Sequence, residues 1–220
     1  MKLSYRPEID GLRGVSIILV ILYHLKISIN NQNLFEFGYL GVDIFFVISG
    51  YLIGRIILKK ISEKKFSFKS FYESRARRLL PALFFSIFLS LFLAITFLLP
   101  MDLIHYAKSI LTSIFFTSNF FFFFTDIQYD AKNSLLLPLL HTWSLSVEEQ
   151  FYLFFPITVF LILKYFKNFF FFFIILGIIL SLLLAEFIDT NISKSLNFFM
   201  LPTRIWELLI GTLIALLLLR

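Results

Sequence analysis

No cysteine occurs in the 220 residues, which excludes disulfides and thiol chemistry. Only three histidines are present, far apart along the chain. None falls at metal-ligand spacing, so no metal site is expected. Charge is sparse as well, at 15% of residues, and no internal repeat is visible. The opening stretch, MKLSYRPEIDGLRG, carries charges of both signs and Pro7. No small-residue cleavage site follows it, so the first apolar run is expected to be a retained helix, not a signal peptide.

What is there is apolar. Hydrophobic residues make up 59% and aromatics 20% of the chain, and the mean hydropathy is +0.89. A soluble domain of this length cannot hide so much apolar surface. Apolar runs long enough to cross a bilayer recur, which reads as several transmembrane helices. Phenylalanine accounts for 32 residues, with unbroken runs at 120–124 and 169–173. Such runs say only that the segment is apolar.

The expected fold class is all-α, a polytopic transmembrane helix bundle. The candidate spans are Val15–Ile29, Gly38–Leu58, Leu79–Leu99, Ile104–Phe124, Glu149–Leu163, Phe169–Ile188 and Met200–Leu219. The fourth is interrupted by Lys108 and Asn119. Between the second and third lie Arg55, Lys59, Lys60, Lys64, Lys65, Lys69, Arg75, Arg77 and Arg78, offset only by Glu63 and Glu73. The positive-inside rule places that stretch, and the N-terminus, in the cytoplasm. If 104–124 does not cross, Lys164, Lys167 and Arg220 fall inside while Glu186 and Asp189 fall outside. This pattern favours six crossings over seven, with 100–142 an outer loop or re-entrant segment.

Ionisable groups within membrane helices are costly and are functional candidates by default. Arg13 and His24 stand eleven residues apart, ~16 Å along one helix face. A neutral imidazole can take a proton from a hydroxyl. The plainer reading is a histidine bonded to a neighbouring helix. Asp43, in GVDIFFVISGY at 41–51, lies at a depth His24 can reach and could orient it. Gly41, Gly50 and Gly54 on the same helix more simply permit close packing. In FYESRARRLLP, Arg75 and Arg78 share a face beside Arg77, with Pro81 opening the next helix. Guanidinium forks suit a phosphate-bearing ligand, whereas a cytoplasmic basic stretch also meets lipid headgroups. No nucleic-acid motif accompanies this charge.

HTWSLSVEEQFY, residues 141–152, leads from polar residues into an apolar helix. Ser144, Glu148 and Tyr152 fall on one face, with His141 and Trp143 at its mouth. Interfacial Trp, a Ser cap and acidic residues at a helix start are also ordinary. Arg204 and Glu207 stand at i, i+3 and read as an ion pair inside the bundle.

Five segments in this order, YRPEIDGLRG, GVDIFFVISGYLI, FYESRARRLLP, PLLHTWSLSVEEQFYLFFP and PTRIWELLIG, resemble the acyltransferase 3 family of integral-membrane O-acyltransferases, related to O-antigen and peptidoglycan acetylases. The resemblance implies acyl transfer, acetyl by default, from acyl-coenzyme A to a cell-envelope carbohydrate hydroxyl. It implies His24 as base with Asp43 and Glu148 in support. It also implies donor contacts through Arg13, Arg75, Arg77 and Arg78. His141, Trp143, Ser144 and Tyr152 are expected on the acceptor side. Acyl-coenzyme A is expected as a donor substrate, with no tightly bound cofactor. The expected location is a bacterial cytoplasmic membrane, among its lipids. Family members run longer, so residues 1–220 are expected to be the N-terminal two-thirds of such a membrane domain. A fragment, a truncated gene product, or half of an assembly in which a partner chain supplies the further helices would each account for this. An inactive membrane fragment or interaction subunit, and a proton-coupled transporter, stand as alternatives.

Overall fold

The computed structural model describes residues 6–29, 32–125 and 137–219. Its α-helices are α1 Pro7–His24, α2 Leu40–Ser62, α3 Phe68–Phe97, α4 Pro100–Ile114, α5 Ser118–Phe124, α6 Thr142–Tyr165, α7 Phe170–Asn191, α8 Lys194–Phe199 and α9 Leu201–Leu219. Strands β1 Ser28–Ile29 and β2 Gln32–Asn33 form a two-residue antiparallel ladder between α1 and α2. A 3-10 turn, Glu36–Tyr39, leads into α2, and another, Lys167–Phe169, into α7. The all-α expectation holds.

Several boundaries differ from expectation, each for a local reason. Helix α1 begins at Pro7, because proline suits a first helical position where its missing N–H costs nothing. It ends at His24, short of Ile29. Helix α3 begins at Phe68, its first turn capped by the Ser67 hydroxyl. The arginine segment is therefore helical, and Pro81 lies within the helix instead of opening it. The polar run at 142–150 is likewise helical, forming the opening turns of α6.

Among the described residues, five spans are long and apolar enough to cross a membrane: Glu36–Ser62, Phe68–Phe97, Thr142–Tyr165, Lys167–Asn191 and Lys194–Leu219. Helix α1 has 18 residues but carries Glu8, Asp10 and Arg13 in its N-terminal half. The 104–124 run does not form one helix. It breaks at Phe115–Thr117, where Phe116 adopts a positive φ of 53°. Gln150 of α6 pins the break by donating to the Phe116 carbonyl at 2.9 Å and to Asn119 Oδ1 at 2.8 Å. A buried chain of hydroxyls fastens the pieces: Ser113 to Thr142 at 2.8 Å, Thr142 to Ser118 at 3.0 Å, and Ser118 to Ser146 at 2.8 Å. In an apolar surrounding such groups must satisfy one another, which holds α4 and α5 on α6.

Helix α2 is the axis of the bundle, packed between α1 and α9, and α9 packs in turn on α7. A Cβ on Gly50 would run into the Leu208 carbonyl, and one on Gly211 into the Val47 carbonyl. The two backbones therefore touch directly, and Thr212 Oγ1 donates to the Gly50 carbonyl at 3.2 Å. Small residues permit such an approach between membrane helices. Outward, α3 presents Phe85, Phe88, Phe92 and Phe97, all well exposed, as a lipid-facing helix does.

Gly50→Ala is expected to destabilise the bundle by about 1–3 kcal/mol through overpacking. Thermal unfolding in detergent reads this as a lowered midpoint. An unchanged midpoint would refute direct backbone contact between α2 and α9.

Candidate functional site

Two stations on α2 carry polar groups. Asp43 and Ser49 stand six residues apart, ~9 Å along the helix axis. Each station gathers side chains distant in sequence.

At the first, a cavity of about 120 Å3 is walled by Tyr23, His24, Tyr39, Asp43, Phe198 and Arg204. Arg204 Nη2 donates a short hydrogen bond to Asp43 Oδ1, and Arg204 Nη1 lies 3.2 Å from Glu207 Oε1. The guanidinium also sits 5.5 Å from the Phe46 ring centre and 5.8 Å from that of Phe198. Glu207 is fully buried, and neither of its oxygens has a hydrogen-bond partner among the described residues. One arginine thus serves two carboxylates. It is held at that depth by the start of α9, where Thr203 Oγ1 donates to the Asn197 carbonyl at 2.7 Å. Ser181 Oγ also donates to the Pro202 carbonyl at 2.8 Å.

At the second, Ser49 Oγ donates to Glu148 Oε1 at 2.7 Å, and Tyr152 Oη to Glu148 Oε2 at 3.3 Å. Glu148 is 6% exposed. The Arg75 guanidinium stacks 3.9 Å from the Tyr152 ring centre and reaches Glu149 Oε1 at 3.4 Å. A larger cavity of about 490 Å3 opens here, walled by Tyr72, Arg75, Phe116, Phe120, Glu149 and Tyr152 among others. Its wall is largely apolar, with one cation and one anion facing each other, the composition of a ligand pocket.

The structure brings His24 and Asp43 to one cavity and Arg75, Glu148 and Tyr152 to one cluster. It does not bring the two sets together. Asp43 is engaged by Arg204, and Glu148 by Ser49 and Tyr152; Glu148 is not in the wall of the His24 cavity. Arg13 lies eleven residues before His24 on α1, outside the cavity wall, and pairs with Asp10 at 3.5 Å. Arg77 turns outward to Glu73 at 2.6 Å, and Arg78 is exposed. Neither lines the Arg75 cavity. His141 is exposed and precedes α6, while Ser144 donates to the His141 carbonyl at 3.1 Å. Trp143 does not stand at a mouth. It is 1% exposed and packs 4.4 Å from Phe198 and 6.1 Å from Phe46, the two rings beneath Arg204.

Sequence reasoning paired Arg204 with Glu207 and missed Asp43 as its partner on α2. The available signal was a lone arginine in an apolar run, which requires an anion nearby. Ser49 as a donor to Glu148 carried no signal of its own.

A family profile described as an acyltransferase domain matches residues 6–220. A protein of Staphylococcus aureus strain MSSA476, provisionally named an O-acetyltransferase, is 40% identical over 97% of this chain and 35% of its own length. The peptidoglycan O-acetyltransferase OatA of Listeria monocytogenes serovar 1/2a is 39% identical over 75% of this chain and 26% of its own. The O-acetyltransferase OatA of Staphylococcus aureus strain NCTC 8325 is 35% identical over 96% and 34%. The chain spans about a third of the length of the two Staphylococcus relatives. No solved structure matches it.

Arg204→Met leaves the buried Glu207 and the part-buried Asp43 without their cation and is expected to cost about 3–5 kcal/mol. Adding Glu207→Gln should return part of that loss. Thermal unfolding of both variants in one detergent checks the pair. A single variant as stable as the parent would contradict the assigned charge pairing.

Proposed function

The chain belongs to the acyltransferase family, and on that premise we propose that it moves an acyl group, acetyl by default, from acyl-coenzyme A to a hydroxyl of a cell-envelope carbohydrate. The observation that carries this reading is the joint placement of His24 and Asp43 in one cavity of a matching chain.

The acceptor hydroxyl lies in the His24 cavity. His24 removes its proton as the oxygen attacks the thioester carbonyl carbon. The new C–O bond forms, the C–S bond breaks, and the coenzyme A thiolate leaves. The proton held by His24 then returns to that sulfur. Asp43, fixed by Arg204, offers a carboxylate beside the imidazolium while it exists. The donor's phosphates occupy the larger cavity, where Arg75 supplies a cation, and its pantetheine arm spans the ~9 Å along α2 between the two stations, so that the thioester reaches His24. Phe116 and Phe120 give that cavity apolar walls. The positive-inside rule supports a cytoplasmic side for the arginine-rich start of α3, where coenzyme A thioesters are available; with α1 and α2 both crossing, the N-terminus would lie inside. O-antigen, peptidoglycan and other envelope glycans all present suitable hydroxyls.

Membranes carrying the chain, given labelled acetyl-coenzyme A and an envelope glycan extract, should label the glycan. His24→Ala should lower the rate about 10²–10⁴-fold, the usual worth of a general base. Equal labelling by both would remove His24 from the chemistry, and labelling by neither would count against the acyltransferase reading.

A further inference from the structure

A second cavity adjoins the one that holds His24. It encloses about 280 Å3 and lies where α1 turns into α2. Tyr23 and Tyr39 wall both cavities, so the two meet at one pair of rings. Its other walls mix chemistries: Leu22 and Phe35 are apolar, and Lys26 and Glu36 are ionic and exposed.

The backbone builds this cavity. Beyond His24, the Leu25 N–H bonds the Ile21 carbonyl at 3.0 Å and the Lys26 N–H the Tyr23 carbonyl at 3.2 Å. Lys26 takes a left-handed φ of 48°, turning the chain away from the helix axis. The Leu34 N–H then bonds the Ile27 carbonyl at 3.0 Å, closing the base of the β1–β2 ladder. The 3-10 turn bearing Glu36 and Tyr39 presses on α1 at Gly38. A Cβ there would collide with the Leu19 carbonyl and lie 2.7 Å from Tyr23 Cβ. This approach sets the Tyr39 ring edge-on to Tyr23, with centres 6.0 Å apart at 73°.

A pyranose ring matches that wall chemistry. Its C–H face suits an aromatic ring, and its hydroxyl edge suits an ammonium donor on one side and a carboxylate acceptor on the other. We infer that this cavity is a subsite for a second sugar unit of the acceptor, next to the unit whose hydroxyl meets His24. The inference rests on the acyltransferase reading and narrows it: the acceptor is an oligosaccharide or a polymer strand, not a single sugar or small alcohol. Lys26 and Glu36 lie outside the His24 cavity, so they act on acceptor binding and not on the transfer step.

Calorimetric titration of the full chain in lipid nanodiscs, without acyl donor, tests this. The probes are a tetrasaccharide and a disaccharide cut from peptidoglycan strands. The tetrasaccharide is expected to bind about tenfold more tightly, the factor that ~1.4 kcal/mol gives. The Lys26→Ala/Glu36→Ala pair should abolish that ratio while moving disaccharide affinity less than about twofold, within ordinary surface-substitution effects. Glu36→Gln, which keeps side-chain size, should give an intermediate ratio and so separates lost hydrogen bonding from lost fold. Equal affinity for both glycans, binding of neither, or an equal loss for both in the variants overturns the subsite. Length-dependent binding without acetyl transfer would uphold the subsite and sink the acyltransferase reading.

Discussion

The direct backbone contact between α2 and α9 is the constraint on which the rest depends. With Gly50 against Leu208 and Gly211 against Val47, no side chain separates the two helices. That closeness brings Arg204 onto Asp43. On another side of α2, Gly41 allows α1 to approach, since a Cβ there would lie 2.8 Å from a Val20 methyl. Three helices whose key residues are 24, 43 and 204 therefore share one small cavity. Bulkier residues at the contacts would push the helices apart and scatter those groups.

A second constraint follows from the apolar surroundings. Every polar group inside the bundle needs a partner, because water is not there to supply one. The hydroxyls of Ser113, Thr142, Ser118 and Ser146 answer one another, and Gln150 answers the broken segment at Phe116. Ser49 and Tyr152 answer Glu148. Glu207 stands apart as a buried carboxylate without a hydrogen-bond partner among the described residues, balanced by the Arg204 guanidinium; the Tyr51 hydroxyl is likewise without one there. The wall of the cavity that holds His24 includes Asp43 and the guanidinium that Asp43 shares with Glu207.

Much of this was legible in the sequence. Apolar runs announced the helices, and Pro81 and the arginines announced a special segment. What was not legible was where polar residues stop being a connection and become helix. The apolar span reads from Glu149, with Ser144 as a cap, yet Thr142, Ser146 and Gln150 bond inward to α4, α5 and the break between them, and α6 already starts at Thr142. The same pairing explains why 104–124 is two short helices: its polar positions serve α6 and not a straight crossing. Trp143 reads as an interfacial ring, because nothing local tells that Phe46, Phe198 and Phe199 converge on it. The placement of Asp43 beside His24 was foreseeable from depth along two helices. Its capture by Arg204 depended on a third helix about 160 residues away.

The structure offers two stations on one helix: the cavity that His24 and Asp43 wall, and a larger, arginine-bearing cavity beside Glu148. We propose that the first takes the acceptor and the second the donor. Steady-state kinetics of Arg75→Gln test that division most directly. The expected result is a KM for acetyl-coenzyme A raised about tenfold, as loss of one charge-assisted contact implies, with the KM for the glycan unchanged. A raised glycan KM with an unchanged donor KM would contradict it.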